Sequence, residues 1–92
     1  MQVTVRCSGQ LRAALGTNSL GLDLPARTTV AEAIAAIADD HGARIRSMLL
    51  DESGAVQRTL VIAVGSAQVT DPTAHALADG DTLTILHPIS GG

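Results

Sequence analysis

The stretch from Thr29 to Gly42 restricts the possible folds more than any other part of this chain. Thr29-Val30-Ala31-Glu32 has the spacing of a capping box. There the threonine hydroxyl accepts from the third helical amide and the glutamate reaches back to the cap. Val30, Ala33, Ile34, Ile37 and Ala38 then recur at helical spacing and form one apolar stripe. Gly42, just after His41, is a natural stop. A single amphipathic helix must bury its stripe against something, and the segments around it alternate with period two, so its partner is a sheet.

On the N-terminal side, Val3-Thr4-Val5-Arg6-Cys7 alternates apolar and polar residues, the pattern of a half-buried strand broken at Ser8-Gly9. Gln10 to Leu15 reads as a short helical turn with Leu11, Ala14 and Leu15 inward, closed by Gly16. Leu20, Leu22 and Leu24 give a second strand stopped by Pro25. Beyond the helix, Ile45, Met48 and Leu49 make a further short turn before the loop Asp51-Glu52-Ser53-Gly54. Leu60-Val61-Ile62-Ala63-Val64 is a continuous apolar run, expected for a central strand. Ala67-Gln68-Val69 suits a short edge strand, Asp71-Pro72 breaks it, and Ala74 to Ala78 suggests a helical turn. Asp79-Gly80-Asp81 is a tight turn that delivers a last strand over Thr82 to Leu86. The order is β-β-α-β-β-β, an α+β domain.

Composition narrows the function. Hydrophobic residues are 46% and charged residues 16% of the chain, which excludes a disordered chain, and aromatic residues are absent. The core is therefore aliphatic, and no ring offers a base a stacking platform. A net charge of −3 also disfavours nucleic acid as a partner. The six basic residues are all Arg. Genomic bias accounts for that, although a chain with an activated acyl terminus also gains from lacking nucleophilic ε-amines. Cys7 is in phase with Val3 and Val5, so it reads as a buried small hydrophobe in a reducing setting. No signal pattern or membrane-length apolar run is visible, and a cytoplasmic protein with no membrane partner is expected. His41, His75 and His87 lack ligand spacing, so no metal site is expected. Asp79 and Asp81 read as turn chemistry, and no Gly-rich phosphate cradle is present.

The chain ends Pro88-Ile89-Ser90-Gly91-Gly92. Two glycines leave the last peptide bond without side chains, so such a tail fits a narrow channel and presents its α-carboxylate to another enzyme. The segment Leu77-Ala78-Asp79-Gly80-Asp81-Thr82-Leu83-Thr84-Ile85-Leu86-His87-Pro88-Ile89-Ser90-Gly91-Gly92 resembles the C-terminal pattern of ubiquitin-like sulfur carriers. That pattern is Leu, two variable residues, Gly-Asp, an alternating strand, Pro, an aliphatic residue, a small residue and Gly-Gly. Gly9-Gln10-Leu11-Arg12 with Leu15-Gly16 resembles the turn after the first strand of molybdopterin synthase small subunits. The stretch from Leu49 to Arg58 is similar to the cysteine-biosynthesis carrier. Departures are Gly65-Ser66 where Asn-Gly is common, His87, and Ser90 in place of Ala.

The resemblance implies a β-grasp domain over residues 1–87, with a mixed sheet of four to five strands on one main helix, and a flexible tail over 88–92. It implies a carrier and not an enzyme, although the chain could serve as the small subunit of a sulfurtransferase. An adenylating, ubiquitin-activating-like enzyme would use its own ATP to activate the Gly92 carboxylate, so no cofactor is bound by the chain itself. A sulfur source would then give a thiocarboxylate that serves a sulfur-accepting biosynthetic enzyme of the molybdopterin, thiamine or cysteine pathway. Pro88 would stiffen the tail, and Ile89, Ser90 and Gly91 would thread the partner's channel.

In-out alternation places Leu83 and Ile85 toward the helix, with Thr84 and Leu86 outward. Leu60, Ile62 and Val64 would likewise face in. Val61, Ala63, Leu86 and Ile89 would then form an exposed apolar patch beside the tail, the expected docking face. Two other readings share the sequence: a ubiquitin-like modifier conjugated to target lysines, and a β-grasp module that binds noncovalently.

Overall fold

The computed structural model describes residues 1–87. Its elements are β1 (Gln2–Ser8), α1 (Gly9–Leu15), β2 (Ser19–Asp23), α2 (Val30–His41), α3 (Ala43–Leu49), β3 (Val61–Val64), β4 (Ala67–Gln68) and β5 (Thr82–His87). The strands form one five-stranded sheet in the order β2-β1-β5-β3-β4. β1 pairs antiparallel with β2 and parallel with β5, while β3 is antiparallel to both β5 and β4. This is the ubiquitin-like β-grasp fold, a mixed sheet packed on one main helix.

The helix that anchors the core starts as its sequence requires. Thr29 Oγ1 accepts from the Glu32 amide at 3.2 Å, and Glu32 Oε1 accepts from the Thr29 amide at 2.9 Å. Val30, Ala33, Ile34, Ile37 and Ala38 are all buried beneath it. Gly42 has φ +88° and ψ 179°, a positive-φ backbone open to glycine that lets α2 stop and α3 begin in one residue. α3 is a full helix of seven residues and adds Ile45 and Leu49 to the core.

The sheet's inner face meets these helices with Val3, Val5 and Cys7 from β1, Ile62 from β3, and Leu83 and Ile85 from β5. The buried face of β1 does include Cys7, as its phase predicts. Burial pushes the Cys7 thiol's pKa up, and the nearby Arg12 offsets this only in part.

Two sequence expectations need correction. The apolar run Leu60 to Val64 is not the centre of the sheet; β5 is, flanked by β1 and β3. Helices cover only one face, so centrality here does not demand an apolar residue on both faces, and Thr82 and Thr84 are tolerated outward. The segment Ala74 to Ala78 is not helical. Its backbone instead serves α2: the Val30 amide donates to His75 O and the Ala31 amide to Pro72 O, both at 2.9 Å. These are first-turn amides with no partner inside the helix. Ala76 bridges Thr29, and the Leu77 amide donates to Thr28 O. A helix at 74–78 would have turned the His75 carbonyl inward on itself.

Candidate functional site

The last strand is held from its first residue. In the turn before it, Asp81 Oδ2 accepts from the Ala78 amide at 2.8 Å and Asp79 Oδ1 accepts from the Gln2 amide at 2.7 Å. Gly80, with φ +86°, donates its amide to Gln2 O at 2.7 Å, and the Thr4 amide donates to Asp81 O at 3.0 Å. Both acids thus do turn work, latching the start of β5 to β1. At the far end His87 bridges Gly9 in parallel. β5 is therefore gripped by β3 as far as Leu86 and by β1 with Gly9 as far as His87.

The registers bring the expected docking residues together. Val61 lies directly opposite Leu86, and Ala63 opposite Thr84. Val61 is 42% and Leu86 40% exposed, the two large hydrophobic side chains left open among the described residues. Removing what remains exposed of each is worth about 1 kcal/mol per residue. Ala63, expected outward and open, is half-buried because it sits between Thr84 and Gln68 within the sheet. Val64, expected inward, is likewise half-buried. Ile89, Pro88, Ser90, Gly91 and Gly92 lie outside the described residues.

Two residues near this patch escaped the sequence reading. His87, noted there only as lacking ligand spacing and as a departure from the family pattern, is half-buried, and its Nδ1 is buried without a hydrogen-bond partner among the described residues. Its alternation within β5 carried the only hint. Arg6 stands on the open face of the sheet opposite Thr84, in phase with Thr4 and Ser8.

Among the described residues, no three His, Cys, Asp or Glu side chains come together as a metal site, and no helix is long and apolar enough to cross a membrane. His41 directs its Nδ1 to Ile37 O at 2.9 Å within its own helix. A cleft of about 540 Å³ beside β3 is lined by Val56, Leu60, Ile62, Val69 and Pro72 with Arg58 and Asp71. Its one carboxylate is already committed, since Asp71 Oδ1 accepts from the Thr73 hydroxyl at 2.6 Å and the Thr73 amide at 3.1 Å. Those bonds, the hydroxyl first, hold the Asp71 pKa below its ordinary value. The cleft thus pairs no nucleophile with a base.

A sequence profile described as the ThiS family matches residues 5–92. No curated protein matched the sequence. Among solved structures, a chain of the BexX/CysO complex from Amycolatopsis orientalis is 32% identical, with a TM-score of 0.75 over 98% of this chain and 99% of that one. SAMP1 from Haloferax volcanii superimposes with a TM-score of 0.87 at 21% identity, covering 100% of both chains. A chain from the complex of subunits 1 and 2 of the molybdopterin-converting factor of Helicobacter pylori gives 0.61 at 20% identity, again covering 100% of both. At those lower identities the last two speak for the fold alone. Two of these three similar proteins were captured with a second protein.

Proposed function

The chain belongs to the ThiS family of ubiquitin-like sulfur carriers, small proteins that carry sulfur and are not themselves enzymes, and from that premise we propose that Gly92 is the residue on which sulfur is loaded. A carboxylate is a poor electrophile, because its charge repels nucleophiles and oxide leaves badly. On an adenylating partner, the Gly92 carboxylate attacks the α-phosphorus of ATP and pyrophosphate leaves. A hydrosulfide equivalent then attacks the acyl carbon of the mixed anhydride, the C–S bond forms and AMP departs. The resulting thiocarboxylate is a better nucleophile than the carboxylate it replaces.

The chain contributes positioning, a large share of any bimolecular barrier. What carries the proposal is the junction of a clamped strand with the tail: β5 ends at His87, one residue before 88–92, and the family match continues to residue 92. The pair Val61 and Leu86 lies at that same end of β5 and suits a docking partner. We assign the patch Val61, Ala63, Leu86 and Ile89 to the adenylating enzyme and then to a sulfur-accepting biosynthetic enzyme. Pro88, Ile89, Ser90 and Gly91 lead Gly92 into their channels. The ATP is the partner's own, and the buried free thiol of Cys7 suits a reducing cytoplasm. The complex that holds the 32% identical chain supports a partner that is a separate protein, and we assign the acceptor to molybdopterin, thiamine or cysteine synthesis.

Intact-mass measurement tests this after incubation with an adenylating enzyme, ATP and sulfide. The expected product has one terminal oxygen replaced by sulfur, and a chain lacking Gly91 and Gly92 stays unchanged. An unaltered wild-type mass with every adenylating enzyme tried overturns the proposal. Covalent attachment of Gly92 to amines of other proteins would point instead to a modifier.

A further inference from the structure

The open face of the sheet carries more than its apolar pair. The outward positions of the three middle strands are Gln2, Thr4, Arg6 and Ser8 on β1, Thr82, Thr84 and Leu86 on β5, and Val61 and Ala63 on β3. Arg6 is the one charged side chain in that field. It is exposed, and among the described residues it makes neither an ion pair nor a side-chain hydrogen bond.

The acids at the ends of the strands beside β1 are engaged elsewhere. Asp79 and Asp81 accept backbone amides in the turn before β5, and Asp23 faces the Met1 ammonium at 3.6 Å. The surface beside Arg6 is not filled either. Arg6, Ser8, Thr82, Thr84, Leu86 and Gly65 line a depression of about 380 Å³, and a Cβ built on Gly65 would meet nothing within 4 Å. Leu86 belongs both to this depression and to the apolar pair, so the two are one continuous surface.

The geometry points to a partner protein that places an Asp or Glu side chain in this depression against Arg6, beside an apolar seat for Val61 and Leu86. The inference rests on the carrier reading and adds the chemistry of the partner's face. Arg6 is opposite Thr84, two residues before Leu86, so the carboxylate would sit about 7 Å back along β5 from the apolar seat and about one strand spacing to the side. A guanidinium offers a planar fork that suits a carboxylate in two hydrogen bonds, whereas a neutral field of threonines offers nothing that competes with it. The sign is informative. The whole chain carries −3, so net charge would favour a basic partner, yet the contact face is locally positive. An acid there therefore fixes register instead of serving general attraction.

The test uses the full chain and an adenylating enzyme that accepts it, with the carrier's KM and kcat read by ATP–pyrophosphate exchange. Arg6→Glu should raise KM about 10-fold or more at low salt with kcat unchanged, the difference shrinking as salt rises. Arg6→Lys, which keeps the charge and loses the fork, should raise KM to a value between those of the wild type and Arg6→Glu. Arg44→Glu on α3, across the molecule and equally exposed, makes the same change in net charge and should leave KM near that of the wild type. Thermal midpoints of all three should match the wild type, since each position is exposed. If Arg6→Glu matches or betters the wild type, or if Arg44→Glu loses as much, the acidic contact is overturned while the carrier reading stands. If the wild type is not adenylated by any such enzyme, the carrier reading fails first and takes this inference with it.

Discussion

The two faces of the same sheet have been given opposite work. Inward, Val3, Val5, Cys7, Ile62, Leu83 and Ile85 are each 5% exposed or less and pack against the helices. Outward on the same strands stand Thr4, Arg6, Ser8, Ala63 and Thr84, with Val61 and Leu86 about two-fifths exposed. Neighbouring residues of one strand thus report on different properties. Changes inward should move stability, whereas changes outward should move partner recognition and leave the fold alone.

The largest expected effect is on the inner face. Leu83→Ala removes a side chain with no exposed surface, and should cost about 2–5 kcal/mol. That is a large part of the roughly 5–15 kcal/mol available to a domain of this kind. The urea midpoint should fall with its slope unchanged; a shift too small to measure would break the division between faces. Leu86→Asp, three residues on and outward, should change unfolding free energy by less than about 0.5 kcal/mol. It should nevertheless raise the carrier's KM for adenylation about 10-fold or more, as for a buried interface anchor. Equal adenylation of the variant would remove the outer face from that step.

A smaller effect concerns the helix that covers the inner face. Thr29→Ala should lose about 1 kcal/mol by thermal or urea unfolding. The bonds from the Thr29 backbone, and then its side chain, hold the Glu32 carboxyl below its ordinary pKa. A lowered folded value means that this support is present above the ordinary carboxylate range and is lost as pH falls. The stability gap between wild type and Thr29→Ala should therefore narrow below about pH 4. Constancy of that gap across the acid range would show that the Thr29 hydroxyl has no share in holding the Glu32 pKa down, since the backbone amide remains in the variant.

The smallest effect sharpens the contrast between adjacent residues. Cys7 faces in and Ser8 faces out. The Cys7 thiol should react with a thiol reagent only slowly in the folded protein, while Ser8→Cys in a Cys7→Ala background should react at the rate of an exposed thiol. Because burial raises the folded Cys7 pKa, its share of stability is present below the ordinary thiol range and is lost as pH rises past about 8.5. The wild type should accordingly lose stability faster than Cys7→Ala in alkali, and parallel pH curves would contradict the burial.

Much of this division was legible in advance, because it is local. Period two in Val3 to Cys7 and in Thr82 to Leu86 identified which side chains turn inward, and the Thr29–Glu32 spacing identified the start of the helix. The two misreadings share a cause. An unbroken apolar run at Leu60 to Val64 suggested the centre of the sheet, but Val61 and Ala63 are apolar on a face the helices do not cover, as their expected place in the outward patch requires. The feature taken as a sign of centrality marks the candidate docking surface instead. Ala74 to Ala78 has helical propensity, yet the His75 carbonyl is needed by the Val30 amide in the first turn of α2, and propensity is a weak prior against such a requirement. Nor does alternation reveal that His87 Nδ1 is buried without a partner among the described residues, since that depends on which residues pack around it.

The sequence alone determined the kinds of the main elements and the inward stripes of β1, α2 and β5, because these are written in spacings of a few residues. Only the tertiary structure decided that β5 lies between β1 and β3. That arrangement sets Val61 against Leu86, 25 positions apart, and leaves Arg6 alone in a neutral field. Strand order depends on pairings between distant segments, whose energies come from the assembled sheet and leave no period in the chain that forms it.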